Sequence, residues 1–87
     1  MRTNPDVVWR DLEGEAVLLD LSRGIYFGLN EVGTRIWRML DEGKSLERIA
    51  DALVTEYEAD RLTVERDLTA LVAELEARRL IVRDGQP

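Results

Sequence analysis

The sequence predicts an α+β domain of winged helix–turn–helix type, in which a three-stranded antiparallel sheet packs on a bundle of three helices. Two observations support this. The first third of the chain alternates short β-rich segments with glycine turns, and from Asn30 onward apolar residues recur at helical spacing. Strands followed by helices are typical of the α+β class. With 87 residues, we expect one domain over residues 1–87, with its core at about 7–82.

Three strands are predicted in the first third. Residues 7–10 are a run of β-formers that ends before a turn at Gly14. Residues 16–21 form the second strand, and Gly24 sits in the connection to the third, residues 25–29. Short turns between strands indicate a meander. The third strand is then expected at an edge of the sheet.

Three helices follow the strands. Asn30 is the predicted N-cap of a helix that runs to about residue 41, and Ser45 caps a second that runs to about residue 57. Thr63 is predicted to open the third helix, which continues to about residue 79. Residues 80–82 are expected as a short extended tail, and residues 84–87 are expected to fray.

The composition argues against most catalytic and metal-binding chemistry. The chain contains neither cysteine nor histidine. The usual zinc ligands, the usual general base and the usual nucleophile activators are therefore missing. We expect no catalytic residues, no metal and no cofactor.

The charge and hydropathy exclude two classes of partner. A net charge of −6 is opposite to the field that draws proteins to nucleic acid. The longest apolar run is the four residues 16–19, far short of a membrane span. The polar start of the chain has no signal-peptide hydrophobic stretch. The chain is therefore expected to be cytoplasmic, with neither nucleic acid nor membrane as partner.

One stretch carries a family resemblance. Residues 24–37, GIYFGLNEVGTRIW, are similar to the central signature of the PqqD-like family: a glycine turn, an aromatic-bearing strand, Leu-Asn, a helical glycine and an Ile-Trp pair. Residues 43–50 resemble the start of that family's second helix, and Asp67, Leu71 and the residues after them resemble its third helix and end. The resemblance extends over about residues 7–82.

The resemblance implies a leader-peptide recognition domain for ribosomally synthesised and post-translationally modified peptides. In that family the leader binds as an added strand beside the third strand, and its side chains enter a cleft bordered by the third helix. The chain looks most like the free-standing leader-binding protein of lasso-peptide pathways. Such a protein has two partners, a precursor leader peptide and a separate, cysteine-protease-like leader peptidase.

The physics of an edge strand favours the same site. An edge strand exposes backbone groups that can pair with an added peptide strand, and residues 24–28 carry no proline or charge that would discourage pairing. Each such hydrogen bond nets only about 0.5–1.5 kcal/mol, so specificity requires side-chain anchors. The candidate peptide-binding residues are Gly24, Ile25, Tyr26, Phe27, Gly28, Leu29, Val64, Asp67, Leu68 and Leu71.

Several of these residues also have a purely structural interpretation. Ile25, Phe27 and Leu29 share a face that is expected in the core, which leaves Tyr26 as the surface contact. Gly28 serves either close packing or the approach of a ligand. Asp67 either supports the helix N-terminus or contacts the leader.

The two tryptophans are assigned differently. Trp37 lies at helical spacing with apolar neighbours and is expected in the core. Trp9 is left open between packing under the first strand and anchoring a partner.

Two alternative functions remain. A winged-helix DNA-binding regulator would have helices in similar places, but the predicted third helix balances its arginines with acidic residues. A helical adaptor that binds a protein through its helices would not depend on the edge strand.

Overall fold

The computed structural model describes residues 1–83, and the predicted α+β fold is confirmed there. The expectation for residues 84–87 lies outside the described residues. Along the described chain the elements are β1 Arg2–Thr3, β2 Val7–Leu12, β3 Glu15–Asp20, β4 Ile25–Gly28, α1 Glu31–Asp41, α2 Leu46–Tyr57, α3 Arg61–Ala77 and β5 Ile81–Val82. Because the short β1 precedes the meander, the strand predicted as third is β4.

The main sheet is an antiparallel meander in the order β2-β3-β4. The turn after β2 places Glu13 and Gly14 at φ values of 57° and 89°, and Gly24 takes 66° before β4. These left-handed conformations suit glycine and allow tight connections. β4 pairs with β3 on one side, so its other side is an edge of the sheet.

A second, two-stranded sheet joins the two ends of the described chain. β1 pairs antiparallel with β5, and the Asn4 N–H donates to the Leu80 carbonyl at 3.0 Å. The predicted extended tail is therefore a paired strand. Two-residue strands show no periodicity in a sequence, so this pairing was not predicted.

The first two helices begin as predicted. The Asn30 side chain accepts a hydrogen bond from the Gly33 N–H at 2.8 Å, and the Ser45 hydroxyl accepts one from the Arg48 N–H at 3.2 Å. Each bond satisfies an amide that the helix itself leaves unpaired.

The predicted start of α3 was wrong by two residues. Asp60 is the N-cap, and its carboxylate accepts from the Thr63 N–H at 3.1 Å. The buried stripe of the helix begins only at Val64. Arg61 stands one turn before it, and Leu62 lies off the stripe and is 76% exposed, so no apolar pattern indicates the first turn. The helix ends at Ala77 rather than residue 79, because Arg79 adopts a left-handed φ of 59°.

The core lies between the inner face of the sheet and the three helices. Its largest fully buried side chains are Trp37, Leu18, Met39, Leu40, Ile49 and Leu75. The expected core position of Trp37 is thus confirmed. α3 contributes the buried stripe Val64, Leu68, Val72 and Leu75, which leaves an adjacent side of the helix free to border the sheet edge.

Within the described residues, no helix combines the length and apolar character needed to cross a membrane.

Candidate functional site

The outer side of β4 presents unpaired backbone groups. The Leu29 N–H donates to the Ala16 carbonyl at 2.8 Å, and the β3–β4 register pairs Phe27 with Leu18. In an antiparallel ladder the hydrogen-bonded pairs alternate, so the amides of residues 25, 27 and 29 point toward β3. The N–H and C=O groups of Tyr26 and Gly28 therefore point away from the sheet.

A stripe of residues on α3 and its C-cap faces this edge. Asp67, Leu71, Glu74 and Arg78 follow the spacing i, i+4, i+7 and i+11, which places them on one side of the helix. Together with β4 they border a cleft, which we call the strand–helix cleft. Its two ends differ in shape and charge.

The first end of the strand–helix cleft is an open groove that reaches the start of α1. It is lined by Phe27, Gly28, Leu29, Asn30, Val32, Gly33, Ile36, Asp67, Leu71 and Glu74. Most of this lining is apolar. Its charged residues, Asp67 and Glu74, are both acidic.

The second end is a cavity of about 150 Å³ at the end of α3. It is lined by Asp20, Arg23, Ile25, Phe27, Ala77, Arg78 and Leu80. Here the Arg78 guanidinium lies over the Phe27 ring, 4.7 Å from its centroid, in a cation–π contact. This contact joins the wall of the cleft formed by α3 to the wall formed by β4.

The Asp20 carboxylate fixes the turn beside this cavity. The carboxylate is buried, and it accepts hydrogen bonds from the Ser22 hydroxyl at 2.7 Å and the Arg23 Nε at 2.9 Å. The Ser22 and Arg23 amides donate to it as well. These hydrogen bonds, led by the one from the Ser22 hydroxyl, lower the pKa of Asp20 below its ordinary value. Arg23 in turn donates to the Arg78 carbonyl, which ties the β3–β4 turn to the end of α3.

The expectation that Ile25, Phe27 and Leu29 are all in the core was only partly right. Leu29 is buried, but Phe27 is half-buried and Ile25 is 49% exposed. The reason is that α3 leaves part of the inner face of β4 uncovered, so these side chains line the strand–helix cleft. Tyr26 is 69% exposed on the opposite face, as predicted.

Two predicted site residues, Val64 and Leu68, are core residues of α3. They are only 8% and 4% exposed and do not line the strand–helix cleft. The sequence alone could not separate them from Leu71, which borders the cleft from the same helix. Their burial indicates that they serve the packing of α3 rather than the strand–helix cleft.

The two predicted glycines differ in role. Gly24 needs its positive φ of 66° for the turn. Gly28 has no such requirement, and a Cβ added there would meet no atom within 4 Å. Close packing within the fold therefore does not account for Gly28, which leaves the space beside it open to a ligand.

The structural interpretation of Asp67 as support for the N-terminus of α3 was wrong. Asp60 caps that helix, and Asp67 is its seventh residue, beyond the first turn where a carboxylate favours the helix dipole. Its side chain instead lines the open groove.

Sequence reasoning missed Glu74, Arg78, Val32 and Ile36 as residues of the strand–helix cleft. The helical spacing from Asp67 through Leu71 would have identified Glu74 and Arg78. Val32 and Ile36 belong to α1, and only the tertiary structure shows that the groove reaches them.

Trp9 belongs to the packing of the fold. It is half-buried against the core, and the Arg38 guanidinium lies 5.3 Å from the centroid of its ring. Arg38 also pairs with Asp11 on β2, the strand that carries Trp9, and this ion pair holds α1 against β2.

The outer face of the main sheet is exposed and mostly apolar, with Arg10 and Glu15 as its charged residues. We call the patch formed by Val8, Leu12, Val17, Leu19, Leu21 and Tyr26 the outer sheet patch; Leu12, Leu21 and Tyr26 are its most exposed members. These side chains stay exposed or half-buried within residues 1–83, and exposed apolar patches are typical of interaction surfaces. Over the described residues, no group of three or more acidic, cysteine or histidine side chains could hold a metal ion.

Two solved structures are similar to this chain over all or nearly all of its length. The first is TbiB1 in complex with the TbiA(beta) leader peptide, with 45% sequence identity and a TM-score of 0.91 over 100% of this chain and 99% of that one. The second is lasso peptide synthetase B1 complexed with the leader peptide, with 33% identity and a TM-score of 0.86 over 94% and 96%. No curated protein sequence matches significantly.

The family comparison agrees with these structures. Residues 15–81 match the family described as coenzyme PQQ synthesis protein D (PqqD). The matched range contains β3, β4, all three helices and both ends of the strand–helix cleft. The chain therefore belongs to the PqqD family, as a PqqD-like leader-recognition domain.

Proposed function

We propose that this chain is a single, non-catalytic domain that binds the leader segment of a ribosomally made precursor peptide, as an added strand on β4. The observation that carries the proposal is the unpaired outer side of β4, which opens directly onto the strand–helix cleft. Strand addition would give the peptide backbone partners at Tyr26 and Gly28. Alternate peptide side chains would enter the cleft.

The similar solved structures support this proposal. Both are complexes with a leader peptide, one of them a complex of lasso peptide synthetase B1, and the match to TbiB1 covers this whole chain. We infer that the precursor is of the lasso-peptide class. A ribosomally made precursor is available in the cytoplasm, where the domain would act.

Delivery to a leader peptidase is the second part of the proposal. A bound leader would lie beside β4, at the margin of the outer sheet patch that includes Tyr26. A cysteine-protease-like peptidase docked on that patch would meet the leader there, so binding would raise the local concentration of its substrate. Among the described residues, none belongs both to this patch and to the lining of the strand–helix cleft, so the two partners would bind to different surfaces.

Leader binding is tested by fluorescence anisotropy with the labelled TbiA(beta) leader peptide, with a scrambled peptide and a DNA duplex as controls. We expect saturable binding of the leader alone. Binding of the duplex without the leader would instead support a winged-helix DNA-binding protein. Binding of neither would contradict the lasso-type assignment of the ligand.

A pair of substitutions at Gly28 locates the peptide. The Gly28 N–H points away from β3, so Gly28→Pro removes no hydrogen bond of the fold but removes one offered to the ligand. We expect a loss of affinity of about tenfold or more, from the missing bond and the ring in the path of the added strand. Gly28→Ala keeps the N–H but adds a Cβ, so it is the matched control that separates the loss of the hydrogen bond from the loss of open space beside Gly28. Equal affinity of the proline variant and the wild type would remove the peptide from β4.

Delivery is tested separately on the outer sheet patch. Leu12→Lys with Leu21→Lys changes two exposed side chains outside the strand–helix cleft. We expect leader affinity to stay within twofold while cleavage of the leader by the partner peptidase slows. Unchanged cleavage would exclude this patch as the docking surface and leave leader binding untouched.

A further inference from the structure

Asp67 is the residue of the strand–helix cleft that the fold itself does not explain. α3 carries four acidic residues, and three are paired: Glu65 with Arg61, Glu74 with Arg78 and Glu76 with Arg83. Among residues 1–83 no hydrogen bond or ion pair engages the Asp67 carboxylate. Aspartate is also among the weaker helix formers at an interior position. Nothing in the stability of the helix accounts for its presence.

The surroundings of Asp67 favour a positive charge. The ten residues that line the open groove include no lysine or arginine. The second acidic residue of the groove, Glu74, forms an ion pair with Arg78, which lines the cavity at the other end of the strand–helix cleft. The remaining lining is mostly apolar, so a ligand seated there would displace water from around the carboxylate. An interaction with a cation is stronger in such a site than on an open surface.

We propose that Asp67 selects a lysine or arginine side chain of the leader at one position, the one that lies over the open groove. This inference rests on the proposed function, because it concerns the peptide bound to β4. The strand–helix cleft then reads the leader in two ways. The apolar lining accepts hydrophobic anchors, and Asp67 fixes the position of a basic residue among them.

The geometry limits the number of such positions. Side chains of a strand alternate between faces, so only every second peptide residue faces the cleft. Since Asp67 lines the groove beside Gly28 and Leu29 and is absent from the cavity beside Ile25, a basic side chain is required at only one end of the bound segment. At cleft-facing positions near the Ile25 end, a lysine would gain nothing from Asp67.

The test is a positional scan of the TbiA(beta) leader peptide. Each residue is replaced in turn by Lys and by Glu, and the affinities are measured by anisotropy against wild type, Asp67→Asn and Asp67→Lys. For the wild type we expect one position at which Lys binds more tightly than Glu by about fivefold, the upper range for a partly exposed ion pair. Asp67→Asn should abolish the preference at that position, and Asp67→Lys should invert it.

Glu65→Lys is the matched control. It makes the same change of charge on the same helix, but Glu65 lies on the α2 side, away from the strand–helix cleft. It should shift the affinities of all charged peptides slightly and keep the positional preference. A preference that survives Asp67→Lys, or that Glu65→Lys inverts equally well, would overturn the inference.

The scan also separates the two proposals. If the parent peptide fails to bind the wild type, the proposed function itself falls. If the parent binds and no position responds to Asp67, leader binding stands and the role of Asp67 falls. Raising the salt concentration should reduce the Lys–Glu difference, because screening weakens charge interactions at the cleft mouth.

Discussion

Thr34 joins the sheet to α1 through one hydroxyl group. It is buried, and its oxygen accepts a hydrogen bond from the Ala16 N–H at 2.7 Å, at the position where β4 has ended. The nearly isosteric Thr34→Val would leave that buried amide without a partner. We expect a loss of about 1–3 kcal/mol in the free energy of unfolding, measured by urea denaturation. Thr55→Val, on the exposed side of α2, is the control and should change stability little.

Asp20 makes the stability of the fold sensitive to acid. Because its pKa is lowered in the folded state, chiefly by the Ser22 hydroxyl, the unfolded chain takes up its proton first as the pH falls. The stabilisation from this carboxylate is therefore complete at neutral pH. It is lost as the pH drops below about 4 and through the folded pKa.

The comparison of wild type with Asp20→Asn tests this linkage. We expect the wild type to be the more stable protein at pH 7, and the difference between the two to narrow toward pH 3. Urea denaturation across that range measures it. A difference that stays constant with pH would show that the charge of Asp20 contributes nothing.

At the scale of the element, α3 depends on a cap that its sequence pattern did not reveal. Asp60 accepts from both the Thr63 N–H and the Thr63 hydroxyl. Asp60→Ala should lower the free energy of unfolding by about 1 kcal/mol, whereas Asp60→Ser keeps a capping oxygen and should stay close to the wild type. Thermal melting of the two variants distinguishes them. Equal loss in both would show that the side-chain oxygen is not what starts the helix.

The elements that sequence reasoning found correctly are those with local signals. Asn30 and Ser45 were identified as caps because each precedes an apolar pattern of helical period. The start of α3 was missed because exposed Leu62 breaks that pattern just after the cap. The sequence contains the helical spacing of Asp67, Leu71, Glu74 and Arg78. Only the position of β4 opposite these residues shows that they form a wall of the strand–helix cleft.

The parts that could not be predicted depend on tertiary distances. Ile25 has the alternation of a core residue, yet α3 stands far enough from β4 to leave it half uncovered. β1 and β5 are too short to show a period and form only because the two ends of the described chain meet. The resemblance to the PqqD-like family predicts a peptide site bordered by the third helix. The structure has a cleft between β4 and α3, and the buried Val64 and Leu68 do not line it.

At the scale of the whole molecule, the net charge of −6 is spread over a surface with many ion pairs. Pairs such as Arg35–Glu56 and Arg61–Asp51 join α2 to its neighbours across the surface. Exposed pairs of this kind contribute little stability individually. Because each pair joins one positive to one negative charge, the six excess negative charges stay distributed over the surface, including the mouth of the strand–helix cleft.

The open side of β4 also affects how copies of the free protein behave when concentrated. A strand edge without proline or charge can pair with the same edge of another copy, and the mutual repulsion of acidic molecules is the main force opposing this. We expect light scattering of the free protein to rise with salt, and a saturating leader peptide or Gly28→Pro to suppress the rise. If neither the leader peptide nor Gly28→Pro reduces the scattering, self-association occurs on another surface, for example the outer sheet patch. A leader bound to β4 would therefore occupy the edge through which two copies could pair, and so would keep the protein monomeric.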